Sequence, residues 1–421
     1  MSKLLICGAH RLEGRVPIYG AKNSALPILA STILCSGECV IHNCPILSDV
    51  DVSLKILEYL GAKIQKQNHD IIINAKNIDR YDIPEFLMRQ MRSSIIFLGA
   101  IISRMKKAKV SFPGGCELGP RPIDLHLKAL KQMGVTIEEH HGCIECHVEK
   151  KLKSQEISLS FPSVGATENI ILSSVFVQGK TKIINAAREP EITDLINFLN
   201  KCGAKIFTTK EGSVVVEGVS KLTGTEHRII PDRIAATTYM AAAAVTRGDI
   251  LLEGICSRHL SAIFPVFEEM GVKTCVVKKQ LRLWIENRPK CVKFVRTMPY
   301  PGFPTDAQAV IMALSAFCKG TSVFVENIFE SRYKHVDELV RLGANVKVEG
   351  KTAIVRGRRS LQGTTVKSYD LRGAAAMVVA GLGAQGETCI SNLNHLDRGY
   401  EDIEKNLKTI GALIKRVGKK N

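Results

Sequence analysis

The chain has 421 residues, more than one ordinary hydrophobic core serves, so two domains are expected. Lysine and arginine number 58 against 41 acidic residues, a formal net charge of +17, and that excess calls for anionic partners: nucleic acid, an acidic membrane surface or phosphorylated small molecules. An aromatic content of 5% with no zinc finger, ribonucleoprotein motif or arginine-rich tail supplies single-strand binders poorly, and no apolar run approaches the ~18 residues of a membrane span. Thirteen cysteines, an odd number at irregular spacing, and an apolar run of only residues 4–7 after Lys3 point to a reduced, cytoplasmic chain without a secretory signal.

Residues 1–20 read as short strands, and after them one unit recurs six times. A helix ending in glycine followed by alanine or valine gives EYLGAKI, LKQMGVTI, FLNKCGAKI, FEEMGVKT, LVRLGANV and LKTIGALI, with Gly61, Gly134, Gly203, Gly271, Gly343 and Gly411 spaced by 68 to 73 residues. Glycine there is the left-handed cap, and β-branched residues begin a strand after it. A second series interleaves: GECVIHN, KAKVSFPGG, GKTKIINAA, GDILLEGI, GTSVFVENI and GETCISNL. Each follows a helix, over residues 24–36, 90–106, 164–178, 232–247, 306–319 and 371–385. Several of these helices are apolar all round, which buries them inside a domain. The pattern predicts an α/β fold with sheets outside and helices inside, three βαβαββ-type units to each domain. The opening strands supply what the sixth unit lacks, so residues 1–20 join 230–421 in one domain and 21–229 form the other.

The starts of the six buried helices carry Lys22 and Asn23; Arg89 and Arg92; Ser163, Val164 and Gly165; Asp232 and Arg233; Thr305 and Asp306; Asp370, Leu371 and Arg372. A helix N-terminus is an anion site. Capping explains the serine and acids, but cations are disfavoured at that end, so Lys22, Arg92, Arg233 and Arg372 lean toward ligand binding. In the second unit Cys116 sits in a glycine- and proline-rich loop, SFPGGCELGPRPIDLH, where Arg121 favours its thiolate. Glu189 and Arg398 occupy the same place in the third and sixth units. Asp306 follows a proline-glycine loop and suits either acid/base work or simple capping. Asp370 reads as a similar group, salt-bridged to Arg372. The stretch HHGCIECH, residues 140–147, offers thiols and imidazoles, but one CxxC in a β-hairpin lacks the usual second pair of zinc ligands.

Nine segments in order then carry a resemblance: GAKNSALP (20–27), MRSSIIFLGA (91–100), PGGCELGPRPIDLH (113–126), SVGATEN (163–169), PDRIAATT (231–238), PGFPTDAQA (301–309), ENIFESRYKHVDEL (326–339), DLRGAAA (370–376) and HLDRGYE (395–401). Together they resemble the UDP-N-acetylglucosamine 1-carboxyvinyltransferases, enolpyruvyl transferases of bacterial cell-wall synthesis. The resemblance implies two inside-out, barrel-like α/β domains with the active site in the cleft between them. It implies transfer of the enolpyruvyl group of phosphoenolpyruvate to the 3′-hydroxyl of UDP-GlcNAc through a tetrahedral ketal, with no metal and no cofactor. By matching motifs, Cys116 resembles the acid toward C3 of phosphoenolpyruvate and the thiol alkylated by fosfomycin, and Asp306 the base at the sugar hydroxyl. Lys22, Arg121 and Arg398 match the phosphate ligands, with Arg332 and Arg372 nearer the carboxylate and Asp370 beside them. Asn23, Arg92, Pro122, Ile123, Asp124, Leu125, Ser163, Val164, Gly165, Asp306 and Ile328 match contacts to the sugar nucleotide. Neither nucleic acid nor membrane is an expected partner.

The chain departs from the family at Ser48, where many members have lysine, and at Ser160, Phe161 and Pro162, where a basic residue often meets the diphosphate. Two other readings compete with this one. The sister enolpyruvyl transferase takes shikimate 3-phosphate, but it is not expected to carry a thiol in the PGGCELGPRP loop. A nucleic-acid-binding repeat protein would explain the charge but not the cations at helix starts.

Overall fold

A computed structural model describes residues 2–112, 114, 123–140 and 142–418. Among them the strands form six four-stranded sheets of one plan. An edge strand lies parallel to a second strand, which pairs antiparallel with one arm of a hairpin. In the first sheet these are Glu226–Arg228, Glu38–His42, then Asp70–Asn74 and Lys63–Gln67. The edge strand of this sheet comes from the end of the third repeat, about 190 residues downstream, so the first three repeats close on themselves.

The N-terminal strands are shared between two sheets, where the sequence suggested the sixth alone. Lys3–Cys7 takes the place of a hairpin arm in the sixth sheet, between Glu387–Ser391 and Leu413–Val417. Glu13–Pro17 instead lies parallel to Asp249–Glu253 as the edge of the fourth sheet. The chain reverses between them with Ala9 at φ +62°, and the Ala9 N–H donates to Leu382 O. Repeat four needs an edge strand as repeat six needs a hairpin arm, and the 20-residue opening segment meets both.

Two compact units result among the described residues: 2–19 with 231–418, and 20–112 and 114 with 123–230. In the first, the helix Leu371–Gly383 is buried along nearly its whole length and packs against Thr305–Ser315 and Arg233–Val245. Its sequence, LRGAAAMVVAGLG, has small apolar groups on every face, so neighbours can approach from all sides. In the second, Phe97–Met105 packs on Val164–Ser174 and Lys22–Ser31. A Cβ at Gly99 would lie 2.6 Å from the Asn169 carbonyl oxygen, so only glycine allows that crossing.

The six repeat glycines all adopt φ between +85° and +108° and end the outer helices as expected. Residues 90–106 do not form one continuous α-helix. A 3-10 turn, Arg92–Ile96, precedes Phe97–Met105. Ser94 Oγ donates to the carbonyls of Met88 and Met91, which competes with regular helical pairing there. The hairpin Thr136–His140 with Cys143–His147 forms as expected, but its CxxC thiols do not converge. Residues three apart on a strand face opposite ways, and Cys146 is buried while Cys143 is half-buried. His141 lies outside the described residues. No helix among the described residues is long and apolar enough to cross a membrane.

Candidate active site

In the unit of residues 20–230, Lys22 opens the helix Lys22–Ser31 with no acidic residue in its first turn. A lysine there opposes the helix dipole. The opposition is met from elsewhere in sequence: Lys22 Nζ lies 3.0 Å from Asp49 Oδ2, with the two side chains only 11% and 2% exposed. Asn23 follows it, half-buried. Ser163 caps Val164–Ser174 by accepting the Ala166 N–H at 3.3 Å, and Val164 and Gly165 form the first turn. Ile123 and Asp124 start the helix Asp124–Gln132, with Ile123 buried, Asp124 exposed and Leu125 between the two.

His126 ties these segments together. A Cβ at Gly165 would come within 3.0 Å of its Cε1. Its Nδ1 lies 2.7 Å from Asn169 Nδ2. Asn169 Oδ1 accepts the Gly99 N–H at 2.7 Å, so the amide nitrogen must donate to the histidine, which fixes the neutral tautomer with hydrogen on Nε2. Burial, and then the charge of Arg92, lower the imidazole to about 4, against the pull of Asp124. Arg92, residues 123–126 and residues 163–165 are thus one neighbourhood. Cys116, Arg121 and Pro122 lie outside the described residues. Glu189 precedes the helix Pro190–Lys201. Burial, Glu191 and Glu189 together raise the Glu168 carboxyl well above the carboxylate range.

In the unit that holds residues 231–418, Asp306 stands in the first turn of Thr305–Ser315, whose N-cap residue Pro304 has no side-chain cap bond. Its two oxygens accept from different arginines, Oδ1 from Arg332 Nη2 at 2.9 Å and Oδ2 from Arg372 Nη2 at 2.8 Å. Both guanidiniums are buried, at 2% and 4% exposure, while Asp306 keeps 25%. Burial works against the Arg372 charge, yet Asp306, Tyr400 and Asp232 outweigh it and raise its pKa. Arg372 Nη1 reaches Tyr400 Oη at 3.3 Å, and that hydroxyl pairs with Thr238 Oγ1 at 2.8 Å.

Asp370 acts differently from the expectation. It caps Leu371–Gly383 by accepting the N–H groups of Arg372 and Gly373 at 2.9 and 3.0 Å, and the Arg372 guanidinium goes to Asp306 instead of to it. Glu326, which the sequence did not single out, fastens Ile328 to this cluster. Its carboxylate accepts the Thr305 hydroxyl at 2.9 Å and the N–H groups of Ile328 and Phe329 at 2.7 and 3.0 Å. Arg398 follows the turn Asn394–Asp397 and precedes Gly399, which packs on Leu371 at the start of the same helix. Asp306, Ile328, Arg332, Asp370 and Arg372 therefore form a second cluster.

Buried neutral imidazoles make stability depend on pH. His126 and His335 both titrate near 4 in the fold, His335 because burial outweighs its attraction to Asp370. Below the ordinary value near 6.5 the unfolded chain binds more protons, so the stabilisation is complete above pH 6.5 and falls away toward pH 4. Lowering the pH from 7.5 to 5 should cost about 2 kcal/mol per histidine. Urea unfolding at both pH values checks this. His126→Gln should remove its share of the slope, and an unchanged slope would count against the assignment.

The family model described as EPSP synthase (3-phosphoshikimate 1-carboxyvinyltransferase) matches residues 6–407. UDP-N-acetylglucosamine 1-carboxyvinyltransferase 2 of Caldanaerobacter subterraneus subsp. tengcongensis is 49% identical over 417 residues, covering 99% of this chain and 100% of that one. UDP-N-acetylglucosamine 1-carboxyvinyltransferase 1 of Clostridium acetobutylicum is 48% identical over 419 residues, covering 99% and 100%. Among solved structures, the enolpyruvyl transferase NikO of Streptomyces tendae superposes with a TM-score of 0.90 at 24% identity, covering 99% of each chain. EPSP synthase of Acinetobacter baumannii gives 0.78 at 17%, covering 99% of this chain and 100% of that one. At those identities the structural likeness shows a common fold.

Proposed function

The chain belongs to the EPSP synthase family of enolpyruvyl transferases, and from that membership we infer its reaction. It transfers the enolpyruvyl group of phosphoenolpyruvate to the 3′-hydroxyl of UDP-N-acetylglucosamine and releases phosphate, the first committed step of peptidoglycan synthesis. One observation carries the choice of acceptor. Relatives sharing 44–49% identity along the full chain bear the UDP-N-acetylglucosamine name, whereas the EPSP synthase structures share 17–18%. The reading places the enzyme in the cytoplasm, in keeping with the free thiols of the described cysteines.

The residue roles are those that the matching motifs imply, and the charges of the two described clusters support them. The sugar hydroxyl adds to C2 of phosphoenolpyruvate as C3 gains a proton, giving the tetrahedral ketal. Loss of a C3 proton and of phosphate then restores the double bond. Arg332 and Arg372 are aimed at one carboxylate, that of Asp306. The carboxylate of phosphoenolpyruvate competes for the same guanidiniums. When it takes them, Asp306 is released to accept the proton of the sugar hydroxyl. Lys22, with Arg121 and Arg398, holds the phosphate, and fixed cations stabilise the charge growing on it as it leaves. Cys116 supplies the proton to C3. Asn23, Arg92, Pro122, Ile123, Asp124, Leu125, Ser163, Val164, Gly165 and Ile328 bind the sugar nucleotide, and the neutral His126 keeps the helix start Asp124–Gln132 beside Gly165. Ser48 and residues 160–162 bring no cation to the diphosphate, a loss that acts on affinity and not on the chemistry.

Phosphate release from phosphoenolpyruvate tests the reading directly. Release should require UDP-GlcNAc and should not occur with shikimate 3-phosphate; the reverse result would overturn it. Cys116→Ser should lose most turnover and Cys116→Asp, which still carries a proton donor, should retain it. Fosfomycin should alkylate the wild type and leave the Asp variant unlabelled, and full labelling of that variant would show that another thiol is the target.

A further inference from the structure

Away from these clusters, the unit of residues 20–230 contains three thiols that the reaction does not use. Cys35 follows the 3-10 turn Thr32–Leu34, Cys39 lies in the strand Glu38–His42, and Cys202 ends the helix Pro190–Lys201. Each is at most 1% exposed. Their sulfurs all lie within 4.8 Å of one another, and Cys35 Sγ stands 3.6 Å from Cys202 Sγ. Cysteine packs well as a small apolar residue, but packing alone does not require sulfurs from two stretches of chain, 167 residues apart between Cys35 and Cys202, to meet at one point.

The surroundings favour a cation at that point. The helix Pro190–Lys201 and the turn that extends Lys22–Ser31 both present their carbonyl ends toward it, and such ends carry partial negative charge. Two cationic side chains stand near enough to offset the charge of bound thiolates. Arg104 is fixed on the carbonyls of Ile33 and Ala75 at 2.6 and 2.8 Å, near enough to feel the charge of Cys35. Lys201 acts in the same way on Cys202.

The geometry also selects among metals. A metal–sulfur bond of about 2.3 Å sets the sulfurs of a trigonal site about 4 Å apart, inside the observed range. Among the described residues the group of potential ligands is limited to these three thiols. Zinc takes four ligands in structural sites, whereas soft thiolates without a fourth donor suit Cu(I). We propose that Cys35, Cys39 and Cys202 form a buried three-thiolate site for a soft monovalent cation, Cu(I). The ten-residue helix from Lys22 separates the site from the catalytic cluster by about 15 Å. Binding replaces the S–H protons with metal–sulfur bonds and releases them to solvent, and the charge left on the site is offset by Arg104 and Lys201.

The test uses the full chain, reduced and under anaerobic conditions, titrated with Cu(I) from a chromophoric chelator that holds free copper too low for isolated thiols to compete. One Cu(I) should bind per chain, and X-ray absorption should show three sulfurs at about 2.3 Å. Cys39→Ala and Cys202→Ala should each weaken binding by on the order of 100-fold. Unchanged copper affinity in both variants, two-sulfur linear coordination in the wild type, or tighter binding of Zn(II) than of Cu(I) would each overturn the assignment. The absorption spectrum of the wild type decides the matter even if a variant fails to fold.

Discussion

Replacing Asp306 by asparagine is expected to lower kcat by about 10²- to 10⁴-fold, the span of general-base contributions, while the KM for phosphoenolpyruvate stays level or falls. The two expectations separate a base from a support. Asp306 holds both Arg332 and Arg372 in the absence of substrate. As a mere support, its loss would leave the guanidiniums misplaced and would raise KM. As the base, its loss removes the proton acceptor and also the internal competitor for the arginines, so phosphoenolpyruvate should bind at least as well. Steady-state phosphate release over a full grid of both substrates reads the two parameters separately. A kcat within about tenfold of the wild type would exclude Asp306 as the base. The substitution should also destabilise the fold by about 3–5 kcal/mol, since two buried guanidiniums lose a charged partner. Urea unfolding must therefore accompany the kinetics, so that loss of activity is measured on folded protein.

How far this arrangement was legible in the sequence depends on whether a signal is local. The six glycines are local, because a left-handed cap needs glycine at that one position, and so their spacing disclosed the repeat. Cations at helix starts are local too: Lys22 and Arg372 lie in the first turns of their helices, and Arg92 opens the 3-10 turn that precedes Phe97–Met105. What the sequence could not disclose is partnership across distance. Asp49 lies 27 residues from Lys22, and Arg372 lies 66 from Asp306. Tyr400 meets Thr238 over 162 residues, and Asn169 meets His126 over 43. No spacing rule links such pairs, since the fold alone makes them neighbours. Asp370 shows the opposite error: proximity to Arg372 in sequence suggested an ion pair, but two residues along a helix start is the distance of a cap, and the cap is what forms. The strand Glu13–Pro17 was assigned to the wrong sheet for a related reason. Its alternation fits a strand, but which sheet it joins is set by an edge left open more than 200 residues away.

The Lys22–Asp49 pair yields the other large expected effect, and its two halves should fail differently. Lys22→Gln should reduce kcat/KM for phosphoenolpyruvate by about 10²-fold, the value of one charge-assisted bond to phosphate, made worse by a buried Asp49 left facing an anion. Asp49→Asn keeps the lysine, so activity should fall less, but stability should drop by about 3–5 kcal/mol because a buried ammonium has lost a charged neighbour. The double variant decides between a catalytic lysine and a structural pair. With both charges gone the desolvation penalty disappears, and stability should return most of the way to that of the wild type. Activity should remain at the level of Lys22→Gln, because phosphate still lacks its cation. If the double variant instead recovers activity along with stability, the lysine serves the fold and the phosphate is held by other groups. Asp49 would then be no more than the buried partner of a structural cation.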